Sequence, residues 1–307
     1  SYAMPDMPSA IVVLYGALLL RRIDSLSLWQ GAVLAAIAAF GAGAHYGHPP
    51  LAVAVFGLAL LWRLVTRRLT LVSVLAAAIP IAAALAVNLA ASAVAFDTAS
   101  IAPKRMPILL ARSMEDGPAR WYLDEACPEA GYAICELFDE MPGDIGILLW
   151  QKDGLKRATD AQMNRIRAEE MPILVAAFRA YPLQQSWSLI ENMVIQLVSI
   201  GNGQIMPLIA DPADPHWSRV EVQSSQADRY PVIAVFGKLV WIGTLWGGLT
   251  LAVLWRQGRI RREEGEILLL CLAALCVNAA IFGGLSEPAD RYQNRLVWIL
   301  PAFALLW

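Results

Sequence analysis

Long apolar stretches, separated by short polar connections, occupy the beginning and the end of the chain. A bilayer core about 30 Å thick is crossed by about 20 helical residues, or by fewer when flanking side chains reach the interface. The pattern therefore predicts seven membrane-spanning helices, at residues 9–20, 28–44, 51–65, 69–96, 232–255, 267–284 and 296–307. The first, third and last of these are short for a span.

The polar middle segment, residues 97–231, holds most of the proline, aspartate, glutamate and lysine of the protein. Apolar spacing and proline positions predict helices there, with a break at Tyr181-Pro182. These helices cover residues 107–113, 118–125, 132–141, 159–179 and 182–200. The last one is apolar on nearly all sides, which indicates a helix that is either packed inside the domain or lying in the membrane interface.

Together these elements predict an all-α fold, namely a seven-span transmembrane helix bundle with an inserted helical periplasmic domain. Residues 1–96 carry the first four transmembrane helices, residues 97–231 form the inserted domain, and residues 232–307 carry the last three helices. Two parts in different environments, one in the membrane and one in water, are therefore expected.

Arginine positions predict the orientation in the membrane, because positively charged short loops stay in the cytoplasm. Arginines fall in three alternate connections, namely Arg21 and Arg22, then Arg63, Arg67 and Arg68, then Arg256, Arg259, Arg261 and Arg262. We therefore expect a multi-pass protein of the bacterial inner membrane. Its amino terminus and its middle segment would face the periplasm, and its carboxyl terminus the cytoplasm.

Composition excludes other classes of protein. Of the 307 residues, 58% are hydrophobic and 16% charged, and the mean hydropathy is +0.51, so a soluble globular enzyme is a poor reading. The 24 Lys and Arg residues are outnumbered by 26 Asp and Glu residues, which leaves no basic excess for binding nucleic acid.

Two cysteines of the middle segment bear on its compartment. Cys127 and Cys135 are separated by a predicted turn at residues 128–131, and their spacing permits a small disulfide loop if the compartment is oxidising. The alternative is a pair of buried thiols in a helical hairpin.

A polar cluster is predicted at the outer ends of the spans. His45 and His48 follow the second span, and Arg291, Tyr292 and Arg295 open the last one. Each guanidinium presents a planar fork of donors, so two of them at headgroup level suit a phosphate or pyrophosphate. The alternatives are contacts with ordinary lipid headgroups, or ion pairs with the neighbouring residues 287 and 290.

Histidines raise a second hypothesis, a metal site. His45 and His48 share one helical face, and His216 lies in a segment that contains two aspartates. The metalloprotease pattern H-E-x-x-H is absent, and histidines at a membrane boundary also serve as hydrogen-bonded caps. We expect no bound cofactor.

Acidic residues of the middle segment include two candidates for a catalytic base. Glu115 and Asp116 open a turn close to Arg112 and Arg120. The alternative is that these carboxylates, like most in the segment, are solvated or stabilise helix amino termini.

Several motifs carry a resemblance to known families. At Arg291-Tyr-Gln-Asn-Arg295, followed by Trp298 and Pro301, the chain resembles the closing span of polytopic bacterial membrane proteins. Over most of its length it is similar to a family of uncharacterised inner-membrane proteins. The segments that carry this similarity are His45-Tyr-Gly-His48-Pro, Glu115-Asp-Gly-Pro118, Tyr122-Leu-Asp-Glu-Ala-Cys127-Pro and Tyr132-Ala-Ile-Cys135.

More loosely, membrane helices around a periplasmic helical insertion, with an Arg-Tyr motif before the last span, resemble the lipid-sugar-dependent glycosyltransferases of the GT-C fold. This resemblance implies a polyprenyl-phosphate-linked sugar as substrate and an acidic base in the first periplasmic loop. The outer amino-terminal stretch offers only Asp6 for that role, with no membrane helix before it. One interpretation is that the chain is a fragment whose upstream half carries this residue, which agrees with an apolar run that reaches Trp307.

Three functions follow as hypotheses. The first is a periplasm-facing site for an anionic lipid-linked substrate, either a saccharide or a phospholipid. The second is a non-catalytic membrane scaffold, in which the helix at 182–200 docks a protein partner or the bilayer surface. The third is a metal-dependent membrane hydrolase. Membrane lipids are expected partners in all three, and nucleic acid in none.

Overall fold

A computed structural model describes residues 7–201 and 230–306, and all regular structure in these ranges is helical. In chain order the helices are α1 (Ser9–Arg21), α2 (Leu28–Gly43), α3 (His48–Val65), α4 (Leu71–Phe96), α5 (Ile108–Asp116), α6 (Pro118–Ala130), α7 (Ile145–Trp150), α8 (Asp160–Ala180), α9 (Pro182–Val198), α10 (Tyr230–Arg256), α11 (Arg262–Ala279), α12 (Asp290–Val297) and α13 (Ile299–Leu305). A π-helical turn, Ala280–Gly284, follows α11. The prediction of an all-α fold is confirmed for the described residues.

Contacts divide the chain into two compact units. Unit 1 comprises residues 7–87, 196–201, 230–278 and 289–306, and unit 2 comprises residues 88–195 and 279–288. The helix α4, predicted at residues 69–96, ends at Phe96 as expected.

Four helices of the described chain are long and apolar enough to cross a membrane, which identifies a membrane protein. They are His48–Val65, Leu71–Phe96, Val235–Arg256 and Arg262–Gly284. The helices α1 and α2 are apolar but have only 13 and 16 residues. Four of the seven predicted spans therefore have the length of a span.

The predicted last span is interrupted rather than continuous. Its residues belong to α12 and α13, which are separated at Trp298. Pro301 has no N–H to donate to the carbonyl of Val297, and its ring crowds that carbonyl, so the helix is broken one turn earlier. The indole N–H of Trp298 donates to the carbonyl of Arg295 (2.8 Å) across the break.

Close approach of small residues holds the membrane helices of unit 1 together. A Cβ at Gly247 of α10 would lie 2.6 Å from the backbone nitrogen of Pro301 in α13, so only glycine permits this packing. In the same way a Cβ at Gly16 of α1 would lie 2.6 Å from a methyl group of Val55 in α3. Such contacts favour association of helices in lipid, where no hydrophobic force acts between them.

Unit 2 has an apolar core of its own. Its buried side chains come from α5 to α8 and the loops between them, and they include Leu110, Met114, Leu123, Ile134, Leu148, Leu149 and Ile166. The sulfur atoms of Cys127 and Cys135 form a disulfide across the end of α6.

Local predictions for unit 2 need correction. The helix α6 runs to Ala130, beyond its predicted end at residue 125 and through most of the turn predicted at 128–131. The helix predicted at 132–141 is only a 3₁₀ turn, Ala133–Glu136, because Gly131 ends α6 in a left-handed conformation and the disulfide at Cys135 holds the next residues against it. The short helix α7 was not predicted. Its first turn is capped by Asp144, whose carboxylate accepts from the amide of Ile147 (2.7 Å).

The helix α9 buries four polar residues and exposes most of its large apolar ones, together with Gln184, Ser186 and Glu191. Its buried polar residues are Gln185, Ser188, Asn192 and Gln196. Its exposed apolar residues, at helical spacing, are Leu183, Trp187, Ile190, Val194 and Val198. Among the described residues the helix is therefore not enclosed in the domain core. This polarity suits an apolar environment outside the helix, either lipid or a partner.

Candidate anion-binding site

The three arginine-bearing connections of unit 1 meet at one end of it. The carboxylate of Glu266, at the start of α11, pairs with Arg21 (2.8 Å), Arg262 (3.4 Å) and Arg68 (3.5 Å). Arg21 ends α1, Arg262 begins α11 and Arg68 lies between α3 and α4, so each belongs to or borders a different connection. Sequence analysis put these connections on one side of the membrane but did not identify Glu266, which is nearly buried, as their common partner.

A second carboxylate, that of Asp24, forms further polar contacts at the same end of unit 1. It accepts hydrogen bonds from Thr70 (2.6 Å) and from the buried guanidinium of Arg63. Partial burial opposes ionisation of Asp24, but these hydrogen bonds outweigh it and lower its pKa below the ordinary value of 3.8. The opposite charges of the loops are visible in the sequence, but which of them form ion pairs depends on how the helices pack.

The candidate site lies at the other end of α3 and α11. The buried ring of His48, the first residue of α3, is 2.8 Å (Nδ1) from the carbonyl oxygen of Gly41. The ring of His45 lies 5.4 Å from that of His48 and 4.4 Å from that of Tyr46, between ring centres. The amide of Gly47 donates to Nδ1 of His45 (3.0 Å), so the turn itself orients this ring.

Both predicted arginines pack on Tyr292. The guanidinium carbon of Arg291 lies 4.8 Å from the centre of the tyrosine ring, and that of Arg295 lies 5.2 Å from it. Arg291 also donates to the Tyr292 hydroxyl (2.9 Å). A cation over an aromatic face is stabilised by the ring quadrupole. The tyrosine thus holds two positively charged groups close together.

Arg295 is the interior member of the pair. Its side chain is 1% exposed and donates to the amide oxygen of Asn278 (2.8 Å). The Asn278 amide in turn donates to the carbonyl of Tyr292 (2.8 Å) and to the side chain of Gln293 (2.9 Å). Asn278, a polar residue within an apolar helix, therefore fixes the start of α12 and orients the arginine.

The structure brings the predicted histidines and arginines into one neighbourhood. Arg295 lies near enough to the His48 ring for its charge to act on it. The sequence identified both groups but not the contacts that support them, namely those of the Gly41 carbonyl with His48 and of Asn278 with Arg295. An asparagine inside a span is a visible signal, whereas the carbonyl of Gly41 is not.

No metal cluster is formed by the part of the chain that is described. In residues 7–201 and 230–306, no three His, Cys, Asp or Glu side chains are placed to hold a metal ion. The third predicted ligand, His216, and the acidic candidate Asp6 lie outside the described residues.

The two acidic candidates of unit 2 differ in environment. Asp116 is 5% exposed and accepts from Arg112 (2.6 Å) and from the amide of Asn192 (3.0 and 3.1 Å). Glu115 pairs with the same arginine (2.7 Å) but is 28% exposed. Asp116 is therefore committed to structure, and Glu115 is the carboxylate that a substrate could reach.

Glu115 also titrates unusually. Burial raises its pKa above the ordinary value of 4.5. Arg112 opposes the shift, whereas the carboxylates of Glu287, Asp144 and Asp116 add to it. A raised pKa is a property of carboxylates that act as general acids or bases, although packing alone can also produce it.

A pH-dependent stability difference between the protein and its Glu115→Gln variant is expected. Because the folded-state pKa is raised, the Glu115 contribution is fully present below pH 4.5 and declines as pH rises through the folded value. Glutamine does not titrate, so the wild type should lose stability relative to the variant as pH rises. Thermal unfolding of both proteins between about pH 4 and pH 8 measures this. A constant difference across the range would contradict the shift.

Comparison with protein-family models, with curated proteins and with solved structures finds no match to this chain. What the site binds has to be inferred from its own chemistry.

Proposed function

We propose that this chain is an inner-membrane protein that binds the anionic headgroup of a lipid-linked substrate at the site formed by His45, His48, Arg291, Tyr292 and Arg295. One observation carries the proposal, namely two guanidiniums packed on a single tyrosine ring, one of which, that of Arg295, lies near enough to His48 for its charge to act on that ring. Guanidinium forks match phosphate oxygens in geometry and charge. A phosphate or pyrophosphate on a lipid is the ligand with this chemistry that a membrane protein meets.

The orientation is a further part of the proposal. We take the spans to number seven, the arginine end of unit 1 to be cytoplasmic, and residues 97–231 and the amino terminus to be periplasmic. Clustering of the arginine-bearing connections supports this, because cytoplasmic loops are enriched in arginine. The disulfide of unit 2 also supports it, because such bonds persist in oxidising compartments.

The most specific part of the proposal concerns the reaction. A polyprenyl-phosphate-linked sugar is the substrate, and its sugar is transferred to an acceptor hydroxyl in a reaction like that of GT-C glycosyltransferases, so the acceptor loses its proton and the polyprenyl phosphate leaves. Within unit 2, taken by itself, Glu115 is the stronger of the two acidic candidates for a general base, since it is half-buried, has a raised pKa and is 28% exposed.

Substitution of Arg291 tests the binding proposal. This arginine is exposed, so its loss should leave the fold intact. In nanodiscs, Arg291→Ala is expected to weaken binding of a polyprenyl phosphate about tenfold, the value of one charge-assisted hydrogen bond. Binding of the neutral polyprenol should not change.

A matched control comes from the other end of the bundle. Arg259→Ala removes an equally exposed arginine there and should leave polyprenyl phosphate binding as in the wild type. If Arg291→Ala bound the phosphate as tightly as the wild type, or if Arg259→Ala weakened binding as much, the proposed site would be rejected.

A scaffold is the second function we propose, and the apolar outer face of α9 favours it. Trp187 on this face is 62% exposed among the described residues. A protein partner that covers it should copurify in a fixed ratio and be lost on Trp187→Asp. Trp150→Asp, which changes a similarly exposed tryptophan on α7, should retain the partner. Loss with both variants, or with neither, would argue against docking through α9.

A further inference from the structure

Unit 2 contains an open apolar groove that the proposed site does not use. Its volume is about 460 Å³, within the range of ligand pockets, which is roughly 300–1,000 Å³. The walls are formed by α5, α8 and α9, with Leu109, Leu174, Val175, Phe178 and Leu189 among the lining residues. Several of these apolar side chains are exposed in the described structure, so the groove presents hydrocarbon-like surface to whatever lies outside it.

The location of the groove points to its occupant. Gly284 and Leu285 complete the lining, and Gly284 is the last residue of a candidate membrane span. A Cβ at Gly284 would lie 3.3 Å from the carbonyl oxygen of Leu189, so the end of the span packs closely on α9. The groove therefore begins where a membrane helix ends, at the level where lipid chains meet headgroups.

The inverted polarity of α9 agrees with this location. Four of its polar residues are buried, among them Asn192, which bonds to Asp116, whereas apolar residues such as Trp187 and Val194 face outward beside the exposed Glu191. A helix of this kind is stable where hydrocarbon lies on its outer side. Lipid chains are thus the apolar groups nearest to the groove.

Charge at the rim selects the headgroup. Arg179, at the end of α8, lines the groove and is exposed. It forms no ion pair with any other residue in the ranges 7–201 and 230–306. Arg112, deeper in the groove, is already neutralised by Glu115 and Asp116. The guanidinium available to an anionic headgroup is therefore the one at the rim.

We propose that the groove binds an acyl chain of an anionic membrane phospholipid, with the lipid phosphate at Arg179. This site is independent of the proposed substrate site. A lipid bound there would hold the apolar surface of unit 2 against the bilayer through one specific contact, rather than through nonspecific insertion of apolar side chains.

Photo-crosslinking tests the proposal on the whole chain in nanodiscs. The probe is phosphatidylglycerol with a diazirine in one acyl chain, and the readout is the labelled peptides of α8 and α9. Val175→Trp fills the groove and is expected to reduce labelling about tenfold, the loss expected when about two methylene groups can no longer be buried. Val175 is 43% exposed, so the larger ring can be accommodated without unfolding the unit.

Matched variants separate the groove from other effects. Ile147→Trp, at a residue of α7 that is 40% exposed and outside the groove, should label as the wild type. Arg179→Glu should reduce labelling by phosphatidylglycerol more than labelling by an equivalent phosphatidylcholine probe. Arg291→Ala should leave labelling unchanged, so failure here and failure of the proposed function are distinguishable.

Three results would overturn the proposal. Labelling of Val175→Trp equal to the wild type would show that the groove holds no chain. Equal loss with both probes in Arg179→Glu would show that Arg179 does not select an anionic headgroup. Displacement of phosphatidylglycerol by an equimolar polyprenyl phosphate would identify the occupant as a prenyl lipid instead.

Discussion

Replacing Arg63 with alanine is expected to lower the free energy of unfolding in detergent by about 3 kcal/mol. The buried Arg63 guanidinium donates to the carbonyls of Leu19 and Leu20 (3.2 Å each) and of Arg68 (2.7 Å), and pairs with Asp24. The first two carbonyls lie in the last turn of α1, where backbone acceptors have no partner within the helix. One side chain thus caps α1 and ties it to the connection between α3 and α4.

Arg63→Lys should recover little of this loss. An ammonium retains the charge but has no planar fork, so it cannot reach carbonyls of two chain segments and a carboxylate together. Arg22→Ala is the matched control, because Arg22 lies in the same region but is exposed. It should change stability by less than about 0.5 kcal/mol. Equal unfolding transitions for Arg63→Ala and Arg22→Ala would contradict the capping role.

The second large effect is expected in unit 2, on replacement of Asp116. Asp116→Ala should destabilise the unit by about 3 kcal/mol. It removes the carboxylate that accepts from both Arg112 and Asn192. The nearly buried guanidinium of Arg112 then keeps one partner, and the side-chain amide of Asn192 in α9 loses both of its observed bonds to α5. The contact between α5 and α9 should loosen first.

Hydrogen exchange measures this change segment by segment. In Asp116→Ala, amides of α5 and α9 should exchange faster, whereas those of α1 and α3 in the other unit should not change. Asp116→Asn keeps the shape without the charge and should have an intermediate effect. Asp124→Ala, which removes an exposed aspartate of α6, should match the wild type. Unchanged exchange in α5 and α9 would mean that Asp116 does not join them.

Helix content and membrane class followed from local features of the sequence. Apolar runs predicted the four helices of span length, and proline positions predicted the start of α6 and the break between α8 and α9, although α6 runs to Ala130, beyond its predicted end at residue 125. Such signals are local because a helix satisfies its own backbone hydrogen bonds, and its limits depend on a few neighbouring residues. The predicted helix at 132–141 was wrong because a covalent bond between Cys127 and Cys135 outweighed the local spacing.

The candidate site was predicted only in part. His45, His48, Arg291 and Arg295 have visible chemistry at the ends of apolar stretches, so residue type alone identified them. The role of Asn278 depends on how α11 meets α12, and no local pattern contains that contact.

The amino-acid sequence by itself determined that this protein is helical, that it belongs in a membrane, and which connections carry its positive charge, because hydropathy and charge are properties of single residues summed over short windows. Only the tertiary structure decided that Glu266 joins three arginines, that Tyr292 holds two guanidiniums, and that α9 turns its apolar side outward. Each of these depends on distances between residues far apart in the chain, and those distances are set by helix packing rather than by neighbours in sequence.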